Sequence, residues 1–163
     1  VDMVKRQVQL SEMITTTDEI SQNYRRTILK EGDIIFALRG EIGHVRFVSS
    51  TLAGCNLTRG VALISPSPIV YSRYLLWALR SPAVRREIIL QVNGSALKEI
   101  PLSGLRKVLL PVPPTTEQKR LAALLDSTQF SEKINMDKVE FLQSVKRGLM
   151  QDLLSGSVRV TTP

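Results

Sequence analysis

The run Leu109–Leu125, LLPVPPTTEQKRLAALL, passes from an apolar segment through three prolines into the start of a helix. Those prolines cannot continue a central strand, because each lacks a backbone N–H donor. Thr115 stands three residues before Gln118, which is the spacing of a capping box, in which the two side chains cap the first helical turn. The sequence therefore predicts that a β-containing domain ends here and that a helix begins.

The predicted helix is long, because between Thr115 and Leu154 only Gly148 interrupts a stretch free of glycine and proline. Forty helical residues would span about 60 Å. Apolar residues in its second half recur at spacings of three and four, which is typical of a coiled coil but also of a helix folded back on its own domain. The polar stretch Ser127–Lys133 allows a break, and Ser155-Gly156 predicts the C-terminal stop. The residues expected to form a helix or dimer interface are Leu121, Leu125, Ile134, Val139, Leu142, Val145 and Leu149.

The residues before the prolines are predicted to form short strands and short helices. Polar residues around 11–24 indicate a weak helix, and Glu31-Gly32-Asp33 and Asn93-Gly94-Ser95 predict turns. Ser72 and Ser81 are the predicted N-caps of two helices, the second of which begins with a proline and carries Val84, Ile88 and Ile89 on one stripe. Strands are predicted from apolar or alternating patterns, the second as the return strand of a hairpin, at residues 34–38, 44–48, 60–64 and 107–112.

These elements predict an α+β fold. A β-rich domain with short helices is expected over residues 1–114, and one long, coiled-coil-like C-terminal helix with a tail over residues 115–163.

Positive charge is concentrated in the predicted domain. Residues 1–114 carry 15 Lys/Arg and 9 Asp/Glu, whereas residues 115–163 carry 7 and 6, so six of the seven net charges precede the helix. This balance favours a polyanion partner, although a basic isoelectric point is also common among soluble proteins. Arginine offers paired donors to guanine, whereas lysine mainly neutralises phosphate. Polar residues in turns can also reach base edges. For each candidate residue, a solvated surface role stays open. The expected DNA contacts are Arg39, Arg46, Arg59, Asn93, Ser95 and Lys98.

The sequence offers no constellation for catalysis. Val112-Pro113-Pro114-Thr115 lacks the polar first residue and the aromatic last residue that a DNA amino-methyltransferase uses to hold its target base. There is no phosphate-binding Gly-Lys-Ser/Thr, and a single His and a single Cys are too few for a metal site. His44 and Cys55 are interpreted as a strand residue and a small buried thiol rather than a nucleophile pair. We therefore expect no catalytic residue, no metal and no cofactor.

The chain is also expected to be a cytoplasmic protein without a membrane segment. No apolar run approaches the ~18 residues of a membrane span. The single cysteine excludes an internal disulfide and fits a reducing compartment.

Five segments, taken in order, resemble the specificity subunit of type I restriction-modification enzymes. They are EGDIIFALRGEIGHV, YSRYLLWALRSPAVRREI, NGSALKEIPLSGLRKVLLPVP, TEQKRLAALLD and GLMQDLLSGSVRV. Subunits of this family do not catalyse a reaction themselves. Two target-recognition domains each read half of a split DNA site, two long helices pack antiparallel, and modification subunits that transfer the methyl group dock around them.

The resemblance implies that this chain, with one recognition domain and one long helix, is a half-length or truncated specificity subunit. Its implied partners are double-stranded DNA, the modification and restriction subunits, and a second copy of the chain bound through the helix.

The chain departs from the family pattern at its front. Val1–Lys30 contains neither the apolar L-x-x-I strand nor the Gly-Thr-Pro-like turn with which a recognition domain of this family usually begins. This leaves a second hypothesis, an assembly or dimerisation protein of the same system that does not read DNA. A third hypothesis is an enzyme such as a methyltransferase or nuclease, for which the sequence offers no motif.

Overall fold

A computed structural model describes residues 13–94 and 98–159 of the chain. By residue contacts the chain separates into two compact units that divide between Ala122 and Ala123. The helices are α1 (Asp18–Asn23), α2 (Ser72–Arg80), α3 (Pro82–Leu90), α4 (Leu102–Leu105) and α5 (Thr115–Leu154), and the strands are β1 (Ile34–Ala37), β2 (Val45–Phe47) and β3 (Val61–Ile64). The predicted α+β fold with a long C-terminal helix is confirmed, around a small sheet.

The three strands form an antiparallel sheet in the order β2-β1-β3. Three of the predicted strands are confirmed, and β1 and β2 form the predicted hairpin. The turn before β1 is closed by the Asp33 carboxylate, which accepts a hydrogen bond of 2.9 Å from the Lys30 N–H, and Gly32 there has a φ of 90° that only glycine adopts readily.

β1 is buried on both faces, which explains its uninterrupted apolar sequence. One face carries Ile34 and Phe36 into the main core, with side chains from α2 and α3. The other face carries Ile35 into a second cluster with Leu29, Val48 and Leu52. The hydrophobic core of the domain therefore lies on both sides of its central strand.

The two predicted helix caps had different outcomes. Ser81 caps α3 as predicted, because its hydroxyl accepts a hydrogen bond from the Val84 N–H at 3.3 Å. Ser72 is instead the first residue of α2, and Tyr71 is its N-cap without a capping side-chain bond, so the predicted Ser72 cap is wrong. Ile89, predicted on the buried stripe of α3, is 60% exposed.

The predicted strand at 107–112 is wrong, because this described segment contains no strand and runs irregularly from α4 to α5. One of its carbonyl groups bonds to a side chain instead of to a neighbouring strand. The Tyr74 hydroxyl donates to the Pro111 carbonyl oxygen at 2.7 Å. Pro111, within the segment, lacks the backbone donor that a strand ladder requires.

α5 spans the 40 residues predicted for it, and it continues through Ser127–Lys133 without a break. The expected stop is confirmed at Gly156, whose φ of 74° ends the helix. The capping box is wrong, because Thr115 already lies inside the helix and the Gln118 side chain bonds to the domain. No helix in the two described stretches is long and apolar enough to cross a membrane.

Candidate nucleic-acid interface

Three short backbone segments meet beyond the end of β1. The backbone of Glu99 pairs with Arg39 on one side and with Asn93 on the other, as isolated antiparallel bridges. The Asn93 N–H donates to the Glu99 carbonyl oxygen at 2.8 Å, and the Glu99 N–H donates back at 3.0 Å. The next residue, Ile100, is buried and donates its N–H to the Leu38 carbonyl oxygen at 3.0 Å. Glu99 is thus held from both sides by backbone bonds.

Directly opposed residues in antiparallel pairs project to the same face, so Arg39, Glu99 and Asn93 form one row of polar side chains. We call these three residues the polar row. Within it, the Arg39 Nε lies 2.6 Å from the Glu99 Oε2, and the two side chains are 58% and 42% exposed. The polar row therefore combines a fixed backbone with side chains that remain open to solvent.

Two further cations adjoin the polar row. The Leu38 N–H donates to the Gly60 carbonyl oxygen at 2.8 Å, and a Cβ at Gly60 would lie 3.9 Å from the Arg39 side chain. Gly60 has a φ of 87°, a backbone conformation that glycine adopts readily. The exposed Arg59 precedes it, and the exposed Lys98 precedes Glu99. The structure thus brings four of the six predicted DNA contacts to one end of the sheet.

The other two predicted contacts do not join this group. Arg46 is half-buried in β2, opposite Ile35, and four residues of strand, on the order of 13 Å, separate that position from Arg39. Ser95 lies outside the described residues. Contact with DNA remains a prediction for all six residues.

The turn between β1 and β2 lies beside the polar row. Gly40 and Gly43 have φ values of 66° and 82°, which explains why the two glycines interrupt the apolar run. The His44 Nε2 lies 3.3 Å from the Glu41 carboxylate. A Cβ at Gly43 would lie 3.8 Å from the Ile88 side chain, so α3 packs against this turn.

Other arginines of the domain serve packing. The Arg73 guanidinium lies 5.0 Å from the centre of the Phe47 ring, and that of Arg80 lies 5.1 Å from the Trp77 ring. Arg80 also donates to the Val45 carbonyl oxygen at 3.3 Å. The Arg73–Phe47 contact and the bond from Arg80 to Val45 join α2 to β2, whereas the Arg80–Trp77 contact lies within α2. The net charge of the domain therefore overstates the number of cations at one surface.

Gln118 connects the first turns of α5 to the loop before α2, a role that its sequence position does not indicate. Its side chain is completely buried. Its amide donates to the carbonyl oxygens of Ile69 at 2.9 Å and Pro113 at 2.7 Å, and its oxygen accepts from the Tyr71 N–H at 2.7 Å. Both N–H donors of the amide and one of the two lone pairs on its oxygen therefore have partners, and these bonds fix the start of α5.

Nearby, Tyr74, Ala78 and Ala122 form a small buried cluster between α2 and the start of α5. Burial raises the pKa of the Tyr74 phenol above its ordinary value, and the negative charge of Glu117 adds to that rise. Both effects disfavour the phenolate, so the neutral hydroxyl that bonds to Pro111 is maintained.

The apolar residues of α5 that were predicted to form an interface are accessible. Their exposed fractions range from 38% to 54%, whereas Gln118 and Ala122 near the start of the helix are buried. Every residue from Ser127 to Leu154 is exposed. The members of this set, which we call the apolar stripe, are Leu121, Leu125, Ile134, Val139, Leu142, Val145 and Leu149.

Sequence reasoning missed Glu99 and Gln118. In the sequence, Glu99 follows a lysine and looks like an ordinary solvated carboxylate. Its ion-pair partner, Arg39, lies 60 positions away, so no local pattern joins the two. The only sequence signal for Gln118 was its place in the first turn of a helix, which suggested a local cap. In the part of the chain that the structure describes, no three His, Cys, Asp or Glu side chains gather as a metal site would require.

Residues 1–146 match a protein family described as the type I restriction modification DNA specificity domain. The chain is 27% identical over 121 residues to the type I restriction enzyme EcoBI specificity subunit of Escherichia coli, covering 74% of this chain and 25% of that protein. It is 25% identical over 135 residues to the putative type I restriction enzyme MjaX specificity subunit of Methanocaldococcus jannaschii, covering 83% and 31%. The chain thus spans about a quarter to a third of the length of these relatives.

Solved structures share the fold. The type I restriction-modification system S subunit from M. genitalium superimposes with a TM-score of 0.59 at 19% identity, over 80% of this chain and 34% of that one. The HsdS subunit from Thermoanaerobacter tengcongensis gives a TM-score of 0.54 at 19% identity, over 77% and 31%.

Proposed function

Because this chain belongs to the type I restriction modification DNA specificity domain family, we propose that it supplies DNA sequence specificity to a type I restriction-modification system. Residues 1–114 form the target-recognition domain and read one half of a split DNA site, and residues 115–163 form the helix and tail. Methyl transfer and DNA cleavage belong to partner subunits, and the protein acts in the cytoplasm. The single observation that carries this proposal is the family match over residues 1–146.

The end of the sheet around the polar row is the proposed DNA surface. Its support is the convergence of Arg39, Arg59, Asn93 and Lys98, all exposed, on backbone that the sheet holds in place. Arginine and asparagine can bond base edges in the major groove, and lysine can bond phosphate. The assembly role without DNA reading is not favoured, because the family match extends over the whole described domain.

The apolar stripe of α5 is the proposed contact with a second copy of the chain. Seven apolar side chains, each more than a third exposed, leave apolar surface along α5 that water solvates poorly. Antiparallel pairing of two such helices would give a two-fold dimer, which would present two recognition domains to a palindromic split site. The modification and restriction subunits are the partners of this dimer.

Two measurements on the 163-residue chain test the proposal. Light scattering on a sizing column gives the absolute mass of the chain alone and with its modification subunit, and a dimer that recruits two modification subunits is expected. Fluorescence anisotropy with a duplex DNA pool over a salt series gives the affinity. We expect its logarithm to fall with log salt concentration by about 0.9 for each phosphate contact. A monomer that binds neither DNA nor the modification subunit would refute the proposed function.

A further inference from the structure

We propose that Glu99 is a positioning residue that orients Arg39 to read a guanine, within the polar row that faces adjacent base pairs. The inference rests on the DNA-reading function proposed above and names the part of the surface that would discriminate between bases.

Backbone hydrogen bonds fix the Cα positions of the three residues of the polar row. Glu99 is bonded to Asn93 through both its N–H and its carbonyl group, and the next residue along, Ile100, anchors the segment to the end of β1. Neighbouring side chains across antiparallel pairs lie about 5 Å apart, so Arg39 and Asn93 flank Glu99 with about 10 Å between them. Base pairs stack every ~3.4 Å, so the polar row matches about three steps of a duplex.

The chemistry of the ion pair gives Glu99 its role. Its carboxylate lies 2.6 Å from the Nε of Arg39, which is the side edge of the guanidinium. Bidentate recognition of guanine O6 and N7 uses two parallel N–H donors of a guanidinium whose plane is fixed. A carboxylate bonded to the side edge restricts rotation of that plane before DNA arrives, which lowers the entropic cost of binding.

A carboxylate on a DNA-facing surface carries a cost that an ordinary solvated charge would not. It repels phosphate and reduces binding to every sequence equally. An ion pair this exposed adds little to folding stability. Discrimination between bases is the property that gains from holding Arg39 in one orientation, because specificity is a difference between affinities.

The test is a selection of bound sequences from duplex DNA with a randomised central segment, using the purified 163-residue chain and its variants. Glu99→Ala removes the carboxylate, Glu99→Gln keeps an oxygen that can accept from Arg39, and Arg39→Lys keeps the charge but not the planar fork. Glu41→Ala is the matched control, because it removes one carboxylate from the neighbouring turn. Circular dichroism melting verifies that each variant folds, and anisotropy gives its affinity for the unselected pool.

The wild-type chain is expected to enrich guanine at one position by about fivefold to a hundredfold, the range for a good bidentate contact. Arg39→Lys should lose that preference. Glu99→Ala should lose most of it at the same position, and Glu99→Gln should restore part of it. Affinity for the unselected pool should rise by up to about fivefold in Glu99→Ala and in Glu41→Ala, but Glu41→Ala should keep the wild-type preference.

The outcomes separate the two proposals. A wild-type chain that enriches no sequence removes the DNA-reading function and this inference with it. A wild-type preference that Arg39→Lys abolishes and Glu99→Ala leaves intact overturns the inference alone. A change in Glu99→Ala at a position that Arg39→Lys does not affect makes Glu99 a base contact, and that result also overturns its role in orienting Arg39.

Discussion

Replacing Gln118 should destabilise the domain more than its place in a helix suggests. Gln118→Ala removes the partners of one backbone N–H and two backbone carbonyl groups, all bonded to the buried amide at 2.7–2.9 Å. A hydrogen bond contributes about 0.5–1.5 kcal/mol, and a buried polar group left without a partner costs about 1–3 kcal/mol. Water can enter the space that the shorter side chain leaves, so we expect a total loss of about 2–4 kcal/mol in the free energy of unfolding.

Urea unfolding, followed by the fluorescence of Trp77, measures this loss of free energy. Trp77 packs against the buried cluster of Tyr74, Ala78 and Ala122. All variants must be compared at one protein concentration, because any dimer makes stability depend on concentration. Gln118→Met separates hydrogen bonding from volume, since it fills the space without bonding and should lose nearly as much as Gln118→Ala. Gln143→Ala is the matched control on an exposed turn of α5 and should change stability by less than about 0.5 kcal/mol. Equal stability of Gln118→Ala and Gln143→Ala would refute the reasoning.

Gln118→Glu adds a pH signature to the same test. A carboxylate can accept from the Tyr71 N–H but cannot donate to the carbonyl oxygens of Ile69 and Pro113. Burial and those oxygens disfavour its charged form, so folding should raise its pKa above the ~4.3 of an unfolded chain. When folding raises the pKa of a carboxyl group, the protonated group contributes its full stability at a pH below the pKa of the unfolded chain. That contribution is lost as the pH rises through the folded pKa. The variant should therefore be less destabilised at pH 4 than at pH 7, relative to wild type at each pH.

Three further predictions concern separate elements. Ser81→Ala should lower the free energy of unfolding by about 1 kcal/mol in a urea titration, because it removes the N-cap of α3. Tyr74→Phe should cost about 1 kcal/mol by removing the bond to Pro111, and because the folded phenol has a raised pKa, the wild type alone should lose additional stability as pH rises above ~10. Leu142→Asp combined with Leu149→Asp should convert the proposed dimer to a monomer by light scattering without loss of helical circular dichroism, and an unchanged mass would remove the apolar stripe as the dimer contact.

The elements that could be predicted from the sequence are those that neighbouring residues determine. β1 followed from an apolar run between turn glycines, and the length of α5 followed from a stretch almost free of helix breakers. The failed strand at 107–112 shows the limit of this reasoning. Apolar composition favoured a strand, but Pro111 lacks a backbone donor and its carbonyl oxygen bonds to Tyr74.

The candidate site could be predicted only in part, because its geometry depends on contacts between distant residues. Four of the six predicted DNA contacts meet at one end of the sheet, and no local pattern indicated that Glu99 would join them. Gln118 bonds residues 47 and 49 positions away, and such partners depend on how α2 and α5 pack. Arg46 was chosen for its charge, but strand alternation places it beside Ile35, toward the second cluster.

The distribution of bonds among the basic residues bears on the DNA reading proposed for this domain. Arg73 and Arg80 cover aromatic rings, and Arg39 is held by Glu99, so the excess positive charge is not spread evenly over one surface. A protein that relied on phosphate contacts alone would gain affinity from free cations and lose it from a carboxylate among them. A carboxylate bonded to the arginine of the polar row is favoured only where a fixed side-chain geometry matters more than total attraction, which is the requirement for reading bases.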